Sequence, residues 1–439
     1  MINTDYFRNK KITIVGLARS GLACANLLSD LGSQVSITDN NDTEATRANL
    51  EKLKSKKIKS ELGRHTPEFV KGQDLLVVSP GVPDTALAVK WAEEFKVPAV
   101  SEIEIAAFLC PATIIAVTGT NGKTTVTTLI GRVLEKKGER AIVCGNIGNP
   151  FSGEVSKLRE KDFVCLEVSS FQLEKIRGFK PKISVILNFS RNHLDRYKDM
   201  REYLEAKKRI FMNQDKEDYL VLNYQDPLAK ELSGQARART FYFSKDGDFN
   251  PNQAAVLAVA SILGIDRELV LRVFKEFKGI EHRLEEVAEV NKVKFINDSK
   301  ATTVDSAIWA LENMPGPVIL IAGGKDKGCD YGAISALIKK KVKEIILIGE
   351  AKEKIKKSLS GCSRLSEAPS LEEAVGLAFL KSQPGDCVLL SPMCASFDMF
   401  SNYEERGRVF KQAVNLIKSQ IPNHKQITIP NDQIPKLII

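Results

Sequence analysis

Histidine, tryptophan and long apolar runs are scarce in this sequence, and each scarcity closes off a class of protein. The 439 residues hold four histidines and two tryptophans, and none of the eight cysteines forms a Cys-x-x-Cys pair. A cysteine-based metal site and a disulfide framework are therefore not expected. Cys24, Cys144, Cys165 and Cys387 lie in apolar runs, where a buried free thiol is the ordinary state. No apolar run reaches the ~18 residues of a membrane-spanning helix. The opening residues Met1-Ile-Asn-Thr-Asp-Tyr-Phe-Arg8 have no leader-like apolar core. A cytoplasmic chain without membrane insertion is expected. The net charge is +9, but the lysines are scattered and often paired with Glu in helical stretches. No aromatic-studded basic stripe is present, so nucleic acid is not an expected partner. The mild positive balance suits an anionic substrate, and a solvated surface explains it equally well.

What is present is a globular composition, 43% hydrophobic and 27% charged without low-complexity tracts. Its length implies about three domains at ~150 residues each. The organising stretch runs from Thr113 to Ile130. Residues 113–117 are a β-branched apolar run and predict a buried strand. Residues 118–122 read as a tight turn, and Val126, Leu129, Ile130 and Val133 follow Lys123 at helical spacing. A glycine loop between strand and helix offers backbone N–H groups to an anion, and the helix N-terminus adds partial positive charge. Lys123 would neutralise β/γ-phosphate oxygens, and the Thr124 hydroxyl is placed to coordinate Mg²⁺. The G-x-x-x-x-G-K-[ST] pattern needs a glycine at 117, where Val117 stands; the glycine is at 119 instead. The compact loop Gly119-Thr-Asn-Gly-Lys-Thr-Thr125 argues against GTPases and ordinary P-loop kinases.

Around this loop the chain alternates strand and helix, which predicts doubly wound α/β units. A first strand over 11–16, a helix over 20–31 and a strand over 34–39 enclose Gly16-Leu-Ala-Arg-Ser-Gly21, a Rossmann-like fingerprint with Ala18 replacing the second glycine. That glycine lets a pyrophosphate approach the backbone, so a dinucleotide is disfavoured. Asp39 ends the second strand, where an acid can take a ribose hydroxyl. A strand over 74–79 runs into Ser79-Pro-Gly-Val-Pro83, a turn of the kind that binds ligands at strand ends. Glu167 closes an apolar strand over 162–168 and is a Walker-B-like candidate for Mg²⁺. His193 follows a strand over 183–189. Lys207 and Lys208 lie on a helix over 200–212, where a solvated face explains them. Beyond Glu281, residues 285–290 and 293–298 flank the hairpin turn Asn291-Lys292. Further strands are expected over 318–322, 344–349 and 387–391, their ends rich in Lys, Asp and Ser.

The phosphate loop resembles that of the Mur ligases and folylpolyglutamate synthetases, ATP-dependent enzymes that join an amino acid to a carboxylate. Glu167-Val-Ser-Ser-Phe-Gln-Leu-Glu174, His193-Leu-Asp-Arg-Tyr197, Asn297-Asp-Ser-Lys-Ala-Thr302 and Ser391-Pro-Met-Cys-Ala-Ser-Phe-Asp398 extend the resemblance to Mur ligases across the chain, and favour the member that adds D-glutamate. The resemblance implies three domains: a UDP-substrate-binding Rossmann-like domain over 1–101, a central ATP-binding sheet over 102–280 and an amino-acid-binding domain over 281–439. It implies that Gly119, Thr120, Asn121, Gly122, Lys123, Thr124 and Thr125 hold ATP, with Gln253 on the adenine side and Arg283 and Asp298 from the third domain. Thr124, Glu167, His193 and Lys207 would serve two Mg²⁺ sites, Lys207 as a CO₂-derived carbamate rather than a solvated lysine. Gly16, Ser20, Asp39 and Gly81 would surround UDP. Asn146 and Ser169 would contact the muramoyl-alanine arm. Lys300, Thr302, Lys327, Ser396 and Phe397 would meet D-glutamate. The implied substrates are UDP-N-acetylmuramoyl-L-alanine, D-glutamate and ATP, and a monomer is expected. Gln253 and the pair Asn40-Asn41 depart from the family's usual Asn and Thr-Arg. The rivals are a ligase for another amino acid, a P-loop ATPase or kinase, and a non-catalytic nucleotide sensor.

Overall fold

Five parallel strands open the chain: β1 (Lys11–Val15), β2 (Gln34–Asp39), β3 (Lys59–Leu62), β4 (Leu75–Val78) and β5 (Ala99–Ser101), in the order β3-β2-β1-β4-β5. Six more parallel strands follow: β6 (Thr113–Thr118), β7 (Ala141–Gly145), β8 (Phe163–Glu167), β9 (Ile183–Ile186), β10 (Tyr219–Asn223) and β11 (Arg239–Phe243). Their order is β11-β10-β9-β6-β8-β7. Parallel strands covered on both faces by helices read as unbroken apolar runs, and Ile183–Ile186 is buried at every position. This is the computed structural model of residues 4–189, 196–244, 249–326 and 328–420. It divides into two compact units between Phe277 and Lys278, and both of these sheets belong to the first.

One apolar core in the first unit is continuous across its two sheets. Ile12, Ile14, Cys24 and Leu28 cluster with Ile103, Phe151, Leu166 and Phe179. The helices Arg19–Asp30, Glu102–Phe108 and Phe151–Glu154 pack together to make this join. On another face Val126, Leu129 and Ile130 of the helix Lys123–Lys137 meet Val256 and Val259 of the helix Pro251–Ile262.

The second unit holds β12 (Glu285–Val290), β13 (Val293–Asn297), β14 (Val318–Gly323), β15 (Val342–Ile348), β16 (Arg364–Glu367) and β17 (Cys387–Leu390). They lie in the order β12-β13-β17-β14-β15-β16. Only the β12–β13 hairpin is antiparallel. Its turn residues Asn291 and Lys292 have φ of 50° and 62°, the backbone of a hairpin turn whose twist matches its strands.

The elements predicted from apolar runs are found with ends shifted by a few residues. The expected helix over 200–212 is α-helical over Met200–Lys208 and tightens into a 3₁₀ turn at Arg209–Phe211. Strands β3, β5 and β16 were not expected, and all three are sheet edges. Lys59-Ser-Glu-Leu62 and Arg364-Leu-Ser-Glu367 are largely polar because one flank faces solvent. Among the described residues no helix is long and apolar enough to cross a membrane. All eight cysteines are free thiols.

Candidate active site

The site in the first unit gathers at the C-terminal ends of parallel strands, where backbone leaves the sheet and helix N-termini converge. Strand β6 delivers Gly119 and Gly122, with φ of 152° and 83°. A Cβ on Gly122 would lie 2.2 Å from Asn252 Oδ1, and one on Gly119 would lie 3.0 Å from Leu187 Cβ. Both glycines are therefore fixed by close approach as well as by backbone sign. The loop is clamped by Asn188, just past β9. Its Oδ1 accepts from the Thr120 and Asn121 N–H groups at 3.1 and 2.9 Å, and its Nδ2 donates to Asn121 O at 3.1 Å. Lys123 Nζ donates to Gly119 O at 2.9 Å and to Thr120 O at 2.8 Å. The lysine thus lies over its own loop, and Thr125 is half-buried.

Strand β8 presents Glu167 beside that loop at 1% exposure. Thr124 Oγ1 donates to Glu167 Oε2 and Asn146 Nδ2 to Glu167 Oε1, both at 2.7 Å. A hydroxyl and a buried carboxylate this close are a hard-oxygen donor set of the kind Mg²⁺ prefers. Lys207 reaches the same place from the helix Met200–Lys208. It is 1% exposed, and its Nζ donates to Gly119 O at 3.0 Å and Thr118 Oγ1 at 3.3 Å, over the Tyr203 ring at 4.6 Å. Two lysines therefore share the Gly119 carbonyl. Burial first, and Lys123 second, hold the Lys207 amine well below the usual lysine range, with Glu167 opposing. Lys208 instead pairs with Glu205 on the surface at 3.0 Å. The solvated-face reading of these lysines fits Lys208 and fails for Lys207.

Other expected residues are engaged locally. Ser169 caps the short helix Ser170–Leu173, its Oγ accepting from Gln172 N–H at 3.3 Å. The Gln253 carboxamide oxygen accepts from Asn250 N–H at 3.1 Å in another capping box, while the adjacent Asn252 touches the loop at Gly122. His193 lies outside the described residues.

At the first sheet, Gly16 has φ of 92°, and a Cβ there would meet Ser79 Cβ at 3.0 Å. Ser79 Oγ donates to Gly16 O at 2.9 Å, so the fingerprint turn and the turn over 79–83 form one surface. Ser20 lies in the first turn of the helix Arg19–Asp30. Asp39 is buried and braces the fingerprint: its Oδ2 accepts from Leu17 N–H at 2.7 Å and its Oδ1 from Asn41 N–H at 2.8 Å. Gly81 is exposed.

In the second unit, Asp298 follows β13 and is buried, accepting from Leu284 N–H at 3.3 Å and Ser391 Oγ at 3.0 Å. Burial pushes its carboxyl up to about 7. The Arg283 Nε is buried with no hydrogen-bond partner among the described residues. Lys300 Nζ lies 5.5 Å from the Tyr403 ring centre, Thr302 N–H donates to Lys300 O at 2.9 Å, Ser396 is buried and Phe397 is 65% exposed. Lys327 lies outside the described residues. A residue not singled out in the sequence organises these loops. The buried Arg406 guanidinium donates to Ser299 O at 2.8 Å and to Cys394 O at 3.2 Å, tying the segment of Lys300 to that of Ser396. A group with metal-ligand spacing, Glu281, His282 and Glu285, is already ion-paired, because Lys411 Nζ lies 3.0 Å from Glu281 and 2.6 Å from Glu285.

A glycine phosphate loop, a strand-end glutamate and a buried lysine on a parallel sheet, with further doubly wound sheets before and after it, define a nucleotide-dependent ligase architecture. The chain belongs to the Mur ligase family. It matches the MurD-like N-terminal domain over 10–101, the middle domain over 117–267 and the glutamate ligase domain over 282–394. A Thermoanaerobacter (strain X514) protein named UDP-N-acetylmuramoylalanine–D-glutamate ligase is 41% identical, covering 93% of this chain and 98% of that protein. The protein of the same name from Geotalea uraniireducens is 42% identical, covering 92% and 97%. Among solved structures, UDP-N-acetylmuramate–alanine ligase of Thermotoga maritima superposes with a TM-score of 0.59 at 20% identity, covering 94% of this chain and 100% of that one; this likeness concerns the fold.

Proposed function

We propose that this ligase joins D-glutamate to UDP-N-acetylmuramoyl-L-alanine, forming ADP and phosphate, in peptidoglycan precursor synthesis. The observation that carries the reading is the convergence of Lys123, Lys207, Thr124 and Glu167 on one phosphate loop, in a chain about 41% identical to relatives of that name. An oxygen of the alanyl carboxylate attacks the γ-phosphorus of ATP, and ADP leaves. The D-glutamate amine then attacks the acyl phosphate and loses a proton. Phosphate departs with the original carboxylate oxygen as the amide closes.

The residues divide this work. The loop from Gly119 to Thr125 would cradle the triphosphate, and the Lys123 ammonium would offset the repulsion of carboxylate by phosphate. Mg²⁺ held by Thr124 and Glu167, with a second ion at His193 and Lys207, would supply charge neutralisation. Lys207 suits carbamylation because burial favours the uncharged amine, the form that adds CO₂ with release of a proton, and the product offers carbamate oxygens in place of the nitrogen. Asn146 and Ser169 would orient the alanyl arm, with UDP at Gly16, Ser20, Asp39 and Gly81. Gln253, Arg283 and Asp298 would serve ATP, and Lys300, Thr302, Lys327, Ser396 and Phe397 would serve D-glutamate. The three domains are taken as 1–101, 102–280 and 281–439, in a cytoplasmic monomer. Heavy-oxygen label in the alanyl carboxylate tests the chemistry: one labelled oxygen appears in the released phosphate. Label retained wholly in the nucleotide product contradicts an acyl phosphate.

A further inference from the structure

The turn over 79–83 belongs to the first sheet, yet a side chain from beyond the second sheet's strand β9 holds it. Arg196 Nη1 donates to Pro80 O at 3.1 Å, and its Nη2 donates to Val82 O at 3.3 Å. The same guanidinium pairs with Glu174 Oε2 at 2.5 Å and lies 4.3 Å from the Phe171 ring centre. Both charged side chains are largely buried, at 18% and 14% exposure. Glu174 is held in turn by the Tyr197 hydroxyl, which donates to its Oε1 at 2.6 Å. This seat is built from carboxylate, aromatic face and phenol, and its output is two backbone carbonyls of the turn.

Peptide geometry gives those two bonds a consequence. The described chain has no cis peptide bond, and in a trans peptide the C=O and N–H point in opposite directions. Drawing the Pro80 carbonyl to Arg196 therefore turns the Gly81 N–H away from the arginine. Gly81 is exposed, and nothing lies within 4 Å of where a Cβ would be. A glycine at this position lets that plane rotate readily once the carbonyl is released. Resting on the reading that this turn takes UDP, we propose that Arg196 is a positioning residue for the nucleotide substrate. It fixes the peptide plane that aims the Gly81 N–H at the diphosphate or uridine oxygen, from a seat supplied by Glu174 and Phe171. Affinity at the first sheet is then set partly by a charge pair of the second.

Calorimetric titration of UDP, and separately of a non-hydrolysable ATP analogue, tests this on the full chain. Arg196→Met should weaken UDP about tenfold, the scale of a charge-assisted hydrogen bond, while the ATP analogue stays within about twofold. Arg196→Lys, which keeps a donor but not the fork, should fall between. In turnover, KM for the nucleotide substrate should rise more than kcat falls. A wild-type protein that does not bind UDP overturns the underlying reading of the turn. Wild-type binding of UDP that Arg196→Met leaves unchanged overturns the positioning role. Equal weakening of both ligands with a lowered melting temperature also overturns it, because that is the signature of general structural damage.

Discussion

Replacing Lys207 by alanine should remove most turnover, while the same change one residue later should remove little. A step of one residue is about 100° around a helix, enough to separate a buried amine from a solvated one. Lys207 Nζ gives up two hydrogen bonds and a place over the Tyr203 ring. Loss of one charge-stabilising group from a transition state costs ~10²–10³ in kcat. The truncation also empties buried space, a loss of ~2–5 kcal/mol for comparable aliphatic truncations, offset in part because an amine is no longer buried. Rates are therefore compared at equal folded fraction, checked by circular dichroism. Lys208 and Glu205 form a surface pair at 28% and 56% exposure, and such pairs contribute ~0.2–1 kcal/mol at most. Lys208→Ala should stay within about twofold of wild type. Short carboxylates added to Lys207→Ala should restore part of the rate by standing in for the carbamate. An inactive Lys208→Ala beside a mildly affected Lys207→Ala would refute the assignment.

Three further outcomes are expected. Lys123→Ala should lose at least ~10² in kcat with little change in melting temperature, since its ammonium donates to the Gly119 and Thr120 carbonyls of its own loop; near-normal turnover would remove the loop from the ATP site. Calorimetry should show UDP binding and no competing NAD site, because Ala18 stands where a dinucleotide fold needs glycine; NAD binding that UDP does not displace would overturn this. Asp298 keeps its proton in the fold up to about 7, whereas an unfolded aspartate releases it near ~4. Its contribution is therefore full below about pH 4 and declines as pH rises to 7, by up to about 4 kcal/mol. Asp298→Asn should flatten that decline in urea midpoints, and an unchanged slope would show that the carboxyl is not the group responsible.

The parts of the molecule legible in the sequence share a physical cause. Strands such as Ile183–Ile186 and Val318–Gly323 are buried on both faces, so burial wrote itself into composition. The phosphate loop was legible because two glycines and a lysine between strand and helix satisfy steric and charge demands that few other residues meet. The polar edge strands β3 and β16 carried no such imprint. Asn188, Arg196 and Arg406 were passed over for a different reason. Each acts on backbone far away in the chain: Asn188 on Asn121, Arg196 on Pro80, Arg406 on Ser299. Nothing local to an asparagine or arginine reports a carbonyl or N–H that only the fold brings to it. Lys207 was read as a solvated face from its charge, although Met200, Tyr203 and Leu204 stand at helical spacing from it and mark position 207, not 208, as the buried side.

The central claim is the identity of the joined pair. Phosphate release from ATP should be measured with UDP-N-acetylmuramoyl-L-alanine present, across a panel of D-glutamate, L-glutamate, L-alanine and a diamino acid. The account predicts release that requires both the nucleotide and D-glutamate, with the other amino acids near background. Equal release with L-alanine or the diamino acid, or release that needs no amino acid, would contradict it.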